Sequence, residues 1–287
     1  IVGRPNVGKS TLTNALVGEK IAIVTNKPQT TRNRICAVVN REGCQFVFLD
    51  TPGLHKARTR LGDYMVKVVK ESVADVDAVL LLVEPIPHIG GPEAELIRRI
   101  KELNVPAVLV INKIDTVEKE ELLSVMQVYG AAHDFAAIVP ISAKRNEGVD
   151  ELLGLLAQFL PEGPQLFPED MVTDQPERQV CAEIIREKLL LCLDKEIPHG
   201  TAVEITTFSE RDDGIIDLDA TIYCEKASHK GIIIGKGGAM LKKISTLART
   251  DIEAFMGTKV FLQTWVKVKE NWRDNMNLIK NFGYRDE

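Results

Sequence analysis

Gly3-Arg4-Pro5-Asn6-Val7-Gly8-Lys9-Ser10 constrains this chain more than any other segment. It matches G-x-x-x-x-G-K-S without a gap, follows apolar residues and precedes the helix-like stretch from Thr11 to Val17. The glycines let backbone N–H groups converge on phosphate oxygens at a helix N-terminus, Lys9 adds a point charge and Ser10 a hydroxyl for Mg²⁺. The motif fixes nucleotide binding and leaves the base open. Only Ile1 and Val2 precede it, so the strand expected there is cut short and the natural N-terminus is expected upstream.

Up to residue 160 the pattern alternates strand and helix, the signature of an α/β sheet wrapped by helices. Apolar, β-branched runs stand at 35–40, 45–49, 78–83, 107–111 and 138–141, with helical patterns at 91–103, 118–128 and 149–160. The first two runs are joined only by 41–44, including Glu42-Gly43, so they form an antiparallel hairpin in a mixed, mostly parallel sheet. Four prolines (Pro161, Pro164, Pro168, Pro176) break any regular element over 161–176, which reads as a linker between a domain at 1–160 and one at 177–287. The second domain reads as α+β. A helical pattern covers 177–193 and strands 201–208 and 215–224 flank Asp212-Asp213-Gly214. A short helix at 228–233, glycines at 235–238, a longer helix to 255 and a strand at 258–268 follow.

A length of 287 residues suits two domains, and no apolar run approaches the roughly 20 residues needed to cross a bilayer. Cys36, Cys44, Cys181, Cys192 and Cys224 are scattered and never in a C-x-x-C pair, which argues against a disulfide framework and a zinc site and for a reducing, cytoplasmic setting. The net charge of −5 hides an uneven distribution: between residues 226 and 273 ten basic side chains face three acidic ones.

Asp50-Thr51-Pro52-Gly53 ends the apolar run before it, which puts Asp50 at a strand C-terminus where it can hold Mg²⁺ through water, and leaves the Gly53 N–H able to approach a γ-phosphate. Asn112-Lys113-Ile114-Asp115 follows another strand. The Asp115 carboxylate can accept from guanine N1–H and the 2-amino group, a pair of donors adenine lacks, so an ATPase or nucleotide kinase is disfavoured. Asn112 would brace the loop and the Lys113 stem would cover the ring; Ser142-Ala143-Lys144 would bring a backbone N–H to guanine O6.

These segments resemble the G1, G3, G4 and G5 motifs of translation-factor-type GTPases, and Gln29-Thr30-Thr31-Arg32 resembles the Thr-Arg of the Era-like group within them. The resemblance implies GTP binding by residues 3–11 (Gly3, Arg4, Pro5, Asn6, Val7, Gly8, Lys9, Ser10 and Thr11), by 50–53 (Asp50, Thr51, Pro52 and Gly53), and by Asn112, Lys113, Asp115, Ser142, Ala143 and Lys144. Lys9, Thr31, Asp50 and Gly53 would act in hydrolysis and Ser10, Thr31 and Asp50 around Mg²⁺, with Thr30 the alternative to Thr31. Leu54 stands where Ras-like proteins carry a glutamine and cannot orient a water. Some Era-like members complete the site with K⁺ held partly by a phosphate-loop asparagine, which names Asn6 as a candidate K⁺ ligand and implies slow intrinsic turnover.

Gly235-Lys236-Gly237-Gly238 is the G-x-x-G of KH domains, set between two helices with two strands before and one after, which resembles the type II arrangement. In such a module the loop clamps single-stranded RNA backbone. Lys236, Lys242 and Lys243 would neutralise phosphates beside a groove lined by Ile232, Ile233 and Ile234. Trp265 and Trp272 could stack on bases, or pack as tryptophans more often do. A G domain of the Era-like type with a type II KH domain implies a monomeric ribosome-assembly GTPase that binds the 3′ end of 16S rRNA on the small subunit, not DNA, and associates peripherally with the membrane. The competing reading is an RNA-binding adaptor whose G domain only clamps GTP or GDP.

Overall fold

The turn Glu42-Gly43, with Gly43 at φ 78°, closes a hairpin of β1 (Ile35–Arg41) and β2 (Cys44–Asp50), paired antiparallel from Ile35 with Asp50 to Arg41 with Cys44. Glycine belongs there because a side chain resists the left-handed region that such tight turns need. The structure is a computed structural model that describes residues 1–55, 57–73 and 76–284, in two units. The first unit comprises Ile1–Ala22, Thr31–Ala57 and Gly62–Asp174, and the second Ile23–Thr30, Arg58–Leu61 and Gln175–Glu287.

In the first unit β3 (Val79–Val83), β4 (Ala107–Ile111) and β5 (Ala137–Pro140) form a parallel sheet in that order. The first two are apolar throughout because both faces are covered. Leu80, Leu82, Val108 and Val110 pack with Leu12 and Leu16 of α1 (Lys9–Val17) and Leu152 of the helix at Val149–Leu156. The alternate residues Leu81, Val83, Leu109 and Ile111 pack with Val69 of α2 (Arg60–Glu71), Leu96 and Ile100 of α3 (Gly91–Leu103) and Tyr129 of α4 (Lys119–Ala132). The helix at Val149–Leu156 is α5. Val2 bridges to Leu81 in parallel, beside β3.

Pro92 occupies the first turn of α3, where its missing N–H costs no helical bond, and Asn104 ends the helix at φ 52°. The α2 helix lies outside the helical patterns read from the sequence, although Leu61, Tyr64, Met65, Val68 and Val69 recur at helical spacing and are all buried. Residues 165–173, inside the stretch expected as linker, lie on the hairpin in the first unit. The Leu166 and Phe167 N–H groups donate to Gln45 Oε1, both at 2.9 Å, Asn40 Nδ2 donates to Glu169 O at 2.8 Å, and Val38 N–H donates to Val172 O at 2.9 Å.

In the second unit α6 (Glu177–Cys192) precedes β6 (Ala202–Glu210) and β7 (Ile216–Cys224), which pair antiparallel. After α7 (Ala227–Ile234) and α8 (Ala239–Met256), β8 (Val260–Val268) joins β7 in parallel, giving the order β6-β7-β8. Ile184, Ile185 and Leu189 of α6 share one core with Ile233 of α7, Ile244, Ala248 and Ile252 of α8, and the inward residues of the sheet. Trp272, 0 % exposed, donates its indole N–H to Gly200 O at 2.9 Å and packs edge-on against Phe282, 5.3 Å between ring centroids, just past α9 (Met276–Asn281). It is a packing residue, and Trp265, 44 % exposed on β8, is the one open to solvent.

Removing the Trp272 ring leaves a large cavity and an unpaired carbonyl at Gly200, so Trp272→Ala should cost roughly 3–5 kcal/mol. Urea unfolding followed by circular dichroism should show the loss; a change below about 1 kcal/mol would contradict this account of the ring.

Candidate active site and nucleic-acid interface

The loop from Gly3 to Gly8 leads from the β3 edge to the first turn of α1, which Gly8 caps at φ 101°. A Cβ on Gly8 would lie 2.2 Å from Asn112 Nδ2, and one on Gly3 2.4 Å from Leu82 O, so the loop has room for neither. Asn6, exposed, takes the left-handed region at φ 66° and offers its carbonyl to Lys113 Nζ at 2.7 Å. Val7 is buried in the core and its carbonyl accepts from Asn112 Nδ2 at 2.8 Å. The Arg4 guanidinium pairs with Glu84 and, at 3.4 Å, with Glu93, so its side chain is turned to carboxylates and what it can give a phosphate is its backbone.

Lys9 is buried, with Nζ on the carbonyls of Gly3 (3.2 Å) and Arg4 (3.0 Å). Ser10 Oγ donates to Asp50 Oδ2 at 2.7 Å and lies 2.8 Å from Thr31 Oγ1, so three oxygen-bearing side chains from α1, the loop before β1 and the end of β2 meet at one point. Thr30 bonds within its own turn, to Lys27 O at 2.7 Å and Thr25 Oγ1 at 2.6 Å, and takes no part in this cluster. Burial lowers the Lys9 ammonium to about 8, against the pull of Asp50, and raises the Asp50 carboxyl, against the pull of Lys9. Asp50 Oδ1 is buried with no hydrogen-bond partner among the described residues. Hydroxyl and carboxylate oxygens with one buried oxygen uncommitted suit a hard divalent cation such as Mg²⁺.

Gly53 lies against the phosphate loop: a Cβ there would stand 2.6 Å from Pro5 N. Thr51 and Pro52 are buried, the Thr51 hydroxyl donating to Ile1 O at 2.8 Å. Leu54 packs in the core with Val2, Val69 and Leu81. Thr11 is partly buried on the first turn of α1.

Asn112 is buried between two loops, donating to Val7 O and accepting the Ala143 N–H at 3.0 Å. The Ala143 amide, one of the three backbone donors in the Ser142-Ala143-Lys144 segment expected near guanine O6, is thus engaged within the protein. Ser142 Oγ donates to Asp115 Oδ1 at 2.7 Å, and this bond, more than Arg145 nearby, holds the Asp115 carboxyl below its ordinary range. Lys113, at φ 65°, reaches Glu84 Oε1 at 2.5 Å as well as Asn6 O, while Lys144 is exposed. Glu84 was missed by sequence reasoning; its signal is an acidic residue directly after a wholly apolar strand, β3.

On the second unit Gly235, Gly237 and Gly238 lie at φ 74°, 59° and 80° between α7 and α8, and a Cβ on Gly235 would stand 2.7 Å from that of Met240. Lys236, Lys242 and Lys243 are exposed, Ile232 is 49 % exposed and Ile234 half-buried. Ile233 is 0 % exposed and belongs to the core, which corrects its assignment to the groove: the α7 helix turns it inward while its neighbours stay outside.

A phosphate loop, an oxygen cluster of Ser10, Thr31 and Asp50, and the Asn112-Lys113-Ile114-Asp115 segment beside that loop define a P-loop GTPase domain, joined in this chain to a type II KH domain. Residues 1–113 match the family model of the 50S ribosome-binding GTPase and residues 196–273 that of the KH domain. GTPase Era of Ruminiclostridium cellulolyticum is 53% identical over 285 residues, 99% of this chain and 96% of that protein. The crystal structure of a point variant of Aquifex aeolicus Era bound to GDP.AlF4- superposes with a TM-score of 0.95 at 38% identity, covering 99% of this chain and 97% of that one. Era in complex with MgGDPNP and nucleotides 1506-1542 of 16S ribosomal RNA matches equally, with a TM-score of 0.95, 38% identity and the same coverage. The chain belongs to the Era family of GTPases.

Two outcomes follow from this geometry. Gly8→Ala should abolish measurable GDP binding, because the methyl meets Asn112 at an intolerant φ; fluorescent-nucleotide titration reads this directly. To accept from a guanine Asp115 would have to be ionised, and its depressed pKa preserves that state until the pH falls through the folded-state value. Ser142→Ala removes the main cause of the depression, so the acid loss of GDP affinity should move to higher pH, as measured over the range where circular dichroism shows both proteins folded.

Proposed function

We propose that this protein is a Mg²⁺-dependent GTPase switch that binds rRNA through its KH domain, at the 3′ end of 16S rRNA, in assembly of the small ribosomal subunit. The observation that carries the reading is the meeting of Ser10, Thr31 and Asp50 beside Lys9, in a chain that also presents the Gly235-Gly238 loop with exposed lysines. The Era complex with MgGDPNP and a 16S fragment supports both ligands.

In this reading the polyphosphate takes the place of the Gly3 and Arg4 carbonyls as partner of Lys9 and accepts from the backbone N–H groups of the loop. Mg²⁺ would supply charge neutralisation on the phosphates. Ser10, Thr31 and Asp50 would hold it, Asp50 through water. The Gly53 N–H approaches the γ-phosphate, and Asp115 selects guanine over adenine. Because Leu54 is buried among apolar side chains, nothing at that position orients the attacking water, and turnover is slow. K⁺ near Asn6 is the finer part of the proposal: it would offset charge that no arginine of the loop is placed to meet. The protein works as a cytoplasmic monomer with peripheral access to the membrane.

RNA affinity for a 16S 3′-terminal fragment should be roughly 5- to 150-fold tighter with GDPNP than with GDP, the usual range of coupling between two sites. Equal affinity with GDPNP, GDP and no nucleotide would overturn the switch. Leu54 favours one competitor, an RNA-binding adaptor with an inert G domain. Single-turnover GTP hydrolysis with RNA and K⁺ present separates them, since an adaptor shows none.

A further inference from the structure

The segment that leads to Thr31 is bonded within the second unit. Ile23–Thr30 clusters with the second unit, and its bonds there run to α6. Arg186, 0 % exposed, donates from Nη2 to the carbonyl of Thr30, one peptide bond before Thr31. Its guanidinium is fixed by Glu183, at 2.8 Å from Nε and 2.5 Å from the same Nη2. The next residue on α6, Glu187, accepts the Val24 N–H at 2.9 Å, and Lys27 Nζ reaches the Leu193 carbonyl at the end of the helix. The segment is therefore tied at its start, middle and end.

A buried guanidinium aimed at a backbone carbonyl does more than fill space. A planar fork braced by a carboxylate fixes the position and orientation of the peptide it holds. The peptide it holds is the Thr30–Thr31 linkage, so the bond sets the direction in which the Thr31 side chain leaves the chain. We propose that Arg186 is a positioning residue for nucleotide discrimination: by holding the Thr30 carbonyl it presents the Thr31 hydroxyl to the Mg²⁺ and γ-phosphate position, so that preference for triphosphate over diphosphate depends on an α6 side chain. The inference rests on the reading of Thr31 given above. GDP should be indifferent to Arg186, because no described hydrogen bond of the loop at 3–10 or of Asn112, Lys113 and Asp115 runs to α6.

The test uses the full chain without RNA and compares affinity for Mg²⁺·GDPNP with that for GDP. Arg186→Met should lower the GDPNP-to-GDP affinity ratio about tenfold, the scale of one lost charge-assisted hydrogen bond, with GDP affinity unchanged. Arg186→Lys, which keeps a donor for the carbonyl, should restore part of the ratio. Ile252→Val, a truncation in the same core with no bond to residues 23–30, should leave the ratio intact. An unchanged ratio in Arg186→Met, or an equal loss in Ile252→Val, overturns the proposal. Thr31→Ala keeps the two readings apart: if it lowers the ratio and Arg186→Met does not, the inference fails alone, and if neither does, the reading of Thr31 fails with it.

Discussion

The Asn112 carboxamide is the bond on which the nucleotide site depends. It is buried, gives its amide hydrogen to the Val7 carbonyl and takes the Ala143 N–H, so one side chain at the end of β4 fixes two loops that leave other strands. Parallel strands bring their C-terminal ends to one edge, but they do not by themselves set the distances between the loops that follow. The bridge does, and the lack of space for a Cβ at Gly8 is its counterpart: the loop is drawn so close to Asn112 that only glycine fits.

Beside that bridge the protein keeps a buried ammonium and a buried carboxylate that desolvation drives toward neutrality. The two are not in direct contact through any described hydrogen bond: Lys9 rests on carbonyls and Asp50 on Ser10. An anionic phosphate beside Lys9 and a divalent cation beside Asp50 would each stabilise the charged form. The same logic explains why Arg4 is held off by Glu84 and Glu93, leaving Lys9 as the cation the loop points inward.

Much of this was legible from residues alone, because motifs such as those at 3–10, 50–53 and 112–115 combine a local backbone requirement with a chemical one. The hairpin was legible from the shortness of its turn, and the order of elements around the Gly235-Gly238 loop from alternation and glycine spacing. Three features were not. The α2 helix carries a readable stripe, but it sits between two motifs whose chemistry does not depend on it. The side to which Ile233 turns depends on where α7 begins, and a shift of one residue rotates it by more than a quarter turn. The partners of Glu84 and Arg186 are distant in sequence, so a local signal such as the position of Glu84 after β3 does not name them.

The proline-broken stretch beside β1 has a role apart from joining domains. An exposed strand edge presents a row of backbone donors and acceptors that invites pairing with another chain. Here the Val38 amide is already spent on Val172, the Cys36 carbonyl accepts the Thr173 hydroxyl, and the side chains of Asn40 and Gln45 are occupied by the backbone of 166–169. Proline cannot extend the ladder itself, so the strap covers the edge without becoming a strand that would offer a fresh one. The stretch thereby guards a twisted hairpin against edge-to-edge association, a safeguard that a flexible tether of the same length would not provide.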